Sequence, residues 1–333
     1  MNFTMNHVNS SQITHWHFCS ALKTTNERYL QMVNGLFGAA INIICAIVFA
    51  KMIRDKISKE NIFKYLLFKS IVDTYISLRL SLGRQIKCNH CELDQYYYVK
   101  LFYWIFCIYL GYSAQLISIL CDVASCFDRY RLFTTKFRAL NRISYKLVIL
   151  VICMFSFAFY IYKIIGFKIT RHITLVNNHT QIRYILNSSE LIPNNISDKN
   201  SKILEFIHSF IRDGVCVFAI LLLNVLTLVE IRRAMFKKKN LIRQRSNESQ
   251  NTKRTFKAQR AQIRLTLMVF TVSTITLISH GLIFIYFFMM RENSCFQIIS
   301  YISYELQYST NFFVYLCFNL NFRRVFYNFF KFI

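Results

Sequence analysis

Phe127-Asp128-Arg129-Tyr130-Arg131 closes an apolar run that begins at Tyr97 and opens onto the basic residues Lys136 and Arg138. An acid–Arg–Tyr triplet where a membrane-length span ends decides the reading. Charges at that depth are costly unless they face protein or water, so they mark function by default. Working outward, apolar spans lie near 30–51, 62–82, 97–127, 145–167, 205–231, 263–289 and 296–320. Each is long enough for a helix to cross a hydrocarbon core of ~30 Å. The chain has 333 residues, 54% of them hydrophobic, and one proline, Pro193, which rules out ordinary soluble composition. The fold class read from this is an all-α membrane protein: a seven-transmembrane helix bundle with a short carboxyl-terminal amphipathic helix.

The net charge of +25 would point to nucleic acid in a soluble domain, but its distribution excludes that partner. Cations crowd the loops after spans one, three and five: Lys51 to Lys59, Arg129 to Lys146, and Arg232 to Arg264. This is the positive-inside pattern, and it places the amino terminus outside and the carboxyl terminus in the cytosol. The sequons at Asn2, Asn9, Asn178, Asn187 and Asn195 all fall on the outer side and are glycosylation candidates. No cleavable leader pattern opens the chain, so the first span is expected to act as its own signal anchor. Residues 1–29 read as an extracellular tail, 30–320 as the seven-span domain, and 321–333 as a helix on the membrane surface. There Phe322, Phe326, Phe329 and Phe330 are expected to dip into lipid, with Arg323, Arg324 and Lys331 at the headgroups. Residues 168–204 form the longest outer loop. In the basic inner loop, 232–262, spans five and six continue as helices and Ser246 to Thr255 is expected to lack structure.

Seven of eleven cysteines lie within spans and read as packing residues. Cys19, Cys88, Cys91 and Cys295 face the oxidising side, where four cysteines allow three pairings. The preferred one joins Cys19 to Cys295 and Cys88 to Cys91. Cys88-x-x-Cys91 has no second half for a zinc site, and no metal or cofactor is expected.

Asn311-Phe312-Phe313-Val314-Tyr315, then Asn319, then Phe322-Arg323 and Phe326, follow in the seventh span and beyond. With the Asp-Arg-Tyr triplet ending span three, the chain resembles the rhodopsin-like G-protein-coupled receptors, Phe312 replacing the usual proline. The string from Asn61 to Asp73 is similar to invertebrate orphan receptors of the FMRFamide-peptide type, with nematode-type serpentine chemoreceptors a close competitor in composition. The resemblance implies a non-enzyme that binds an extracellular ligand, a short peptide first, and activates a heterotrimeric G protein from the plasma membrane. It implies coupling roles for Asp128, Arg129, Tyr130, Asn311 and Tyr315, with Arg129 held by Asp128 at rest. It also implies a core polar network of Asn42, Asp73 and Asn311. Asp122, two turns before Asp128, reads as a buried polar anchor.

Departures are equally plain. Span six carries Ser279-His280-Gly281-Leu282 where the family has Trp-x-Pro, and the long outer loop has no cysteine. No acid stands near Gln262 to oppose Arg129, so the resting state is expected to be weakly locked. Gly111 lies eighteen residues before Arg129, where amine receptors carry an aspartate; Glu305 lies where opsins carry the retinal lysine. The remaining ligand-cavity candidates are Arg79, Gln115, Arg212, Asp213, His280, Glu305 and Tyr301. Glu305 is open to pairing with Arg79. Arg212 and Asp213, as neighbours, are expected to point to different helix faces. The alternatives are an odorant-type receptor of the same fold and, from another class, a transporter or channel. The latter would call for repeats and broken helices, which seven glycines and one proline do not supply.

Overall fold

The computed structural model describes residues 29, 31–57, 60–86, 96–134, 143–165, 167–176, 179–188, 203–204, 206–244, 249–290 and 294–331. Among them run seven long helices, a hairpin and a short eighth helix. We label them α1 (Gln31–Arg54), α2 (Asn61–Ile86), α3 (Tyr97–Phe133), α4 (Tyr145–Ile165), β1 (Phe167–Val176) and β2 (His179–Ser188). Next come α5 (206–244), α6 (Ser249–Met289), α7 (Ser294–Phe318) and α8 (Leu320–Phe330). α1, α3, α4, α5 and α6 are long and apolar enough to cross a membrane. α2 and α7 are of similar length but carry polar groups on their inner faces. Lys69, Asp73 and Ser77 lie buried in one, and Glu305, Gln307 and Asn311 in the other. The molecule is a multi-pass membrane protein.

α3 is the hub. It packs against α2, α4, α5 and α6, while α7 closes the ring on α1. Burial follows this arrangement. α3 buries a nearly continuous stripe from Gly111 to Arg129, whereas α4 buries only Ile152 and Ser156 along Tyr145–Phe159. The outer face of α4 exposes Leu150, Val151 and Met154, an apolar surface that water would not tolerate and lipid does. α1 and α2 approach closely because Gly35 and Gly38 sit against Ser77 and Ser81, a small-residue seam of the kind that drives helix association in lipid.

Two stretches of the long helices are π-helical, Tyr103–Tyr109 in α3 and Phe210–Val215 in α5. Both lie in the outer part of the bundle. α6 runs unbroken past Gly281, so the missing proline leaves a continuous helix there. α6 also begins at Ser249, within the segment expected to lack structure. Lys253, Arg254, Lys257, Ala258 and Arg260 are good helix formers that lengthen the span at its amino-terminal end.

The hairpin was not legible as such. β1 and β2 pair antiparallel from Phe167↔Ser188 to Val176↔His179. Ile169 faces Leu186 and Ile173 faces Ile182 across the ladder, a period-2 pattern within a segment that reads as polar overall. Tyr184 rests edge-on against Tyr97 at 5.7 Å, seating the hairpin on the start of α3. Asn187 lies in β2 opposite Lys168. Asn2, Asn9, Asn178, Asn195, Cys19, Cys88 and Cys91 lie outside the described residues. Cys295 is disulfide-bonded, its partner also outside them.

α8 corrects the lipid-dipping expectation for Phe322 and Phe326. Asn319 caps it, accepting from the backbone N–H groups of Asn321 and Phe322 at 3.1 and 3.0 Å. Phe322 is fully buried in the bundle against Phe49 and Tyr315, and Phe326 packs on Phe312. Arg323 donates to the carbonyls of Leu316 and Cys317, satisfying the end of α7 rather than reaching headgroups. Phe312, in place of a helix-breaking proline, therefore serves as the surface on which α8 docks.

A Cβ added at Gly35 would fall 2.6 Å from the Ser77 carbonyl oxygen and 3.0 Å from the Ser81 nitrogen, so the helices must part. Gly35→Ala is expected to cost about 1–3 kcal/mol and to lower the melting temperature of the detergent-purified protein. Gly281→Ala, where a Cβ meets nothing within 4 Å, should hold or raise it. Equal behaviour of the two variants would contradict the seam.

Candidate functional site

Polar side chains occupy three levels along the bundle axis. In the middle, Lys69 of α2 is 1% exposed and lies 3.2 Å from both Asp73 and Asp122. Its ammonium also donates to Ser118 Oγ at 2.7 Å, and Ser118 donates to Asp73 at 2.6 Å. Asp122 further accepts from Thr276 of α6 at 3.4 Å, which in turn accepts from Gln307 of α7. One ammonium thus gathers α2 and α3, and α6 and α7 attach through hydroxyl and amide groups. Asp122 is indeed a buried anchor. The network expected among Asn42, Asp73 and Asn311 divides: Asn42 donates to the Gly38 and Tyr308 carbonyls, pinning α1 to α7. Asp73 is taken by Lys69 one helical turn away, a partner that outcompetes neutral amides for a buried carboxylate. Asn311 is buried, its Oδ1 without a hydrogen-bond partner.

At the end of the bundle where α3 closes, Arg129 is 1% exposed and forms an ion pair with Glu60, at the start of α2. Asp128 is engaged by Arg131 at 2.6 Å, one turn on along the same helix. This corrects the pairing of Arg129 with Asp128. Adjacent helical residues diverge, and each finds its partner elsewhere. It also supplies the acid whose absence near Gln262 predicts a weak lock, from another helix. Tyr130 is half-buried, and Tyr315 is fully buried edge-on to Phe49 at 5.1 Å. Cys126 and Ser273, 3.2 Å apart, join α3 to α6 just above.

At the outer end α3, α4, α5 and α6 enclose a cavity of about 330 Å³. Its walls carry Tyr112, Tyr160 and Tyr162, with Phe287 and Phe288 opposite, and Lys163, Arg212 and His208 among them. His208 bridges α5 to α4, its ring nitrogens facing the carbonyls of Leu204 and Phe159. Trp104 Nε1 donates to the Lys163 carbonyl at 2.7 Å and fixes the end of α4 on α3. Behind the wall, Arg212 makes a two-pronged pair with Asp213 at 2.8 and 2.6 Å and donates to Gln115 at 2.9 Å. Asp213 also meets His280 Nδ1 at 2.6 Å. The expectation that Arg212 and Asp213 diverge fails because both sit in the π-helical turn. Its wider winding reduces the angle between successive side chains, and arginine is long enough to fold back.

Of the residues named from sequence, Arg212 lines the cavity, and Arg79 reaches its edge by stacking on Tyr112. Gln115, Asp213 and His280 support Arg212 from behind. Glu305 is buried on α7, and Tyr301 packs against Tyr286. Three ionisable residues escaped: Lys69 and Lys163, both lysines inside spans, and Glu60. The first two carried the signal that intramembrane charge always carries.

No family model matches the chain, and no curated protein does. Among solved structures, squid rhodopsin superposes on 94% of this chain and 86% of its own, with a TM-score of 0.65 at 14% identity. The chain therefore has the rhodopsin-type seven-helix fold.

Removing Lys69 would leave two carboxylates facing each other in a site that is almost fully buried. Breaking a buried charge pair costs about 3–5 kcal/mol. Lys69→Met is therefore expected to abolish folded yield or lower the melting temperature steeply, while Lys69→Met with Asp73→Asn and Asp122→Asn recovers most of the loss. Fluorescence-detected size exclusion of the variants in detergent measures both. A triple variant as unstable as the single one would refute the charge account.

Proposed function

We propose that this chain is a G-protein-coupled receptor of the plasma membrane, with its amino terminus outside, that converts an extracellular ligand into activation of a heterotrimeric G protein. The single observation carrying this reading is the buried Arg129 at the inner end of α3, clasped by Glu60. An arginine so placed serves no packing purpose that an apolar residue would not serve better. It suits a switch: the pair opens, α6 moves from α3, and the guanidinium meets the partner. The mid-bundle network joins α3, α6 and α7 through Thr276 and Gln307.

The cavity supports a small ligand or the end of a longer one, since its volume lies at the lower end of the ~300–1,000 Å³ typical of ligand sites. Monoamines are disfavoured on a physical ground that extends the reading of Gly111. A Cβ there would run into the Arg79 side chain, so a cation occupies the space over that glycine.

Glu60 is about one quarter exposed, so its pair with Arg129 is worth about 1 kcal/mol rather than a fully buried pair's value. Glu60→Gln should raise ligand-free nucleotide exchange on a co-expressed G protein about fivefold, and Arg129→Ala should abolish exchange at equal surface level. Exchange unchanged in both variants would remove the coupling role.

A further inference from the structure

A second cleft, of about 490 Å³, lies at the other end of the bundle, between α6 and the turn from α7 into α8. Arg264 and Leu267 of α6 form one wall; Cys317 and Phe318 of α7, with Leu320 and Arg323 of α8, form the other. The lining holds two guanidinium groups and no carboxylate. The two arginines are far apart in sequence, so the fold alone brings them to one cleft.

Each stands where a membrane-length stretch gives out. The apolar part of α6 runs from Ile263, which puts Arg264 in its first turn. α7 ends at Phe318, and Arg323 lies in the first turn of α8. In a membrane protein this is the level at which hydrocarbon meets the phosphates of the headgroups. Arg323 spends Nε and Nη2 on the Leu316 and Cys317 carbonyls, at 3.1 and 2.8 Å. Those bonds fix the plane of the guanidinium and leave the two N–H donors of Nη1 for another acceptor. The carbonyls carry only the partial charge of a helix end, so they offset the cation in part. Arg264 is exposed and has no hydrogen bond or ion pair among the described residues. Two cations facing one cleft repel each other unless an anion lies between them. Beside them Leu267 and Leu320 are exposed, as is Phe313, one turn up α7 from Cys317. A soluble anion gains nothing from that apolar flank, whereas a hydrocarbon chain does.

We propose that this cleft binds an anionic phospholipid, its phosphate between Arg264 and Arg323 and an acyl chain against Leu267, Leu320 and Phe313. Guanidinium groups match phosphate oxygens in charge and in hydrogen-bond geometry, and basic pockets between spanning helices recognise acidic headgroups in this way. Arg323 does not reach out to the headgroup layer; the cleft admits a headgroup to it. Bound there, one phosphate ties α6 to the α7–α8 turn. The inference rests on the membrane-spanning fold and not on coupling to a partner.

The test uses the full-length chain in detergent micelles doped with dioleoyl phosphatidylglycerol or dioleoyl phosphatidylcholine. Native mass spectrometry reads the fraction of protein that retains a lipid. The two lipids share their chains and their phosphate and differ in net charge. The expected result is at least severalfold greater retention of phosphatidylglycerol. A chain with a net charge of +25 attracts acidic lipid generally, so position decides. Arg264→Gln and Arg323→Gln should each cut retention at least severalfold. Arg324→Gln, exposed on α8 and outside the cleft, should leave it unchanged. Arg323→Gln also releases two α7 carbonyls; should it melt well below the parent, Arg264→Gln decides alone. Equal retention of the two lipids, unchanged retention in Arg264→Gln, or an equal loss in Arg324→Gln would overturn the proposal. Inorganic phosphate at millimolar concentration is the soluble control. Displacement of the lipid by it would make a free anion the occupant and overturn the choice of a lipid.

Discussion

An ammonium group held 3.2 Å from each of two buried carboxylates is the constraint around which the bundle is arranged. Lys69 has to reach the centre of a membrane protein, where unpaired charge is not tolerated, and Asp73 and Asp122 have to meet it there. That requirement fixes the rotation of α2 against α3. Once these are fixed, Ser118 completes the shell, Thr276 brings α6 into it, and Gln307 extends it to α7. The Gly–Ser seam sets α1 on α2 by close approach, and Asn42 ties α1 to α7 through the Tyr308 carbonyl. The remaining apolar faces need only be complementary.

The outer and inner levels use charge differently. At the inner end every described acid has a basic partner: Glu60 holds Arg129 and Asp128 holds Arg131. At the outer end Arg212 is paired with Asp213, and Arg79 and Lys163 lie over the Tyr112 ring.

Much of the architecture was legible because membrane spans announce themselves. Seven apolar runs, the basic loops and the Asp-Arg-Tyr triplet pointed to the seven-helix bundle, and the string from Asn311 to Phe326 marked the turn into α8. What was not legible depends on partners distant in sequence. Lys163 and Tyr112 meet only when α4 docks on α3, and Glu60 becomes a partner only when the start of α2 reaches Arg129. The hairpin escaped because its alternating residues, Ile169, Ile173, Ile182 and Leu186, are diluted by polar neighbours. Arg212 with Asp213 escaped because a periodicity argument presumes an α-helix, and that turn is π-helical.

Those π-helical turns bear on how positions in this chain are matched to any other of its fold. Each hydrogen bond in such a turn spans one residue more than in an α-helix, so a wide turn absorbs residues without lengthening the helix in proportion. In α3 the stretch Tyr103–Tyr109 lies above Leu110–Phe133, and in α5 Phe210–Val215 lies above Cys216. Counting outward from Arg129 therefore keeps register as far as Leu110, which covers Gly111 and Tyr112, and loses it beyond Tyr109. The inner and outer halves of these helices carry two numbering frames in one chain. Residues in and above the wide turns can change frame, and so change which side chains look inward, while those from Leu110 to Arg129 keep theirs.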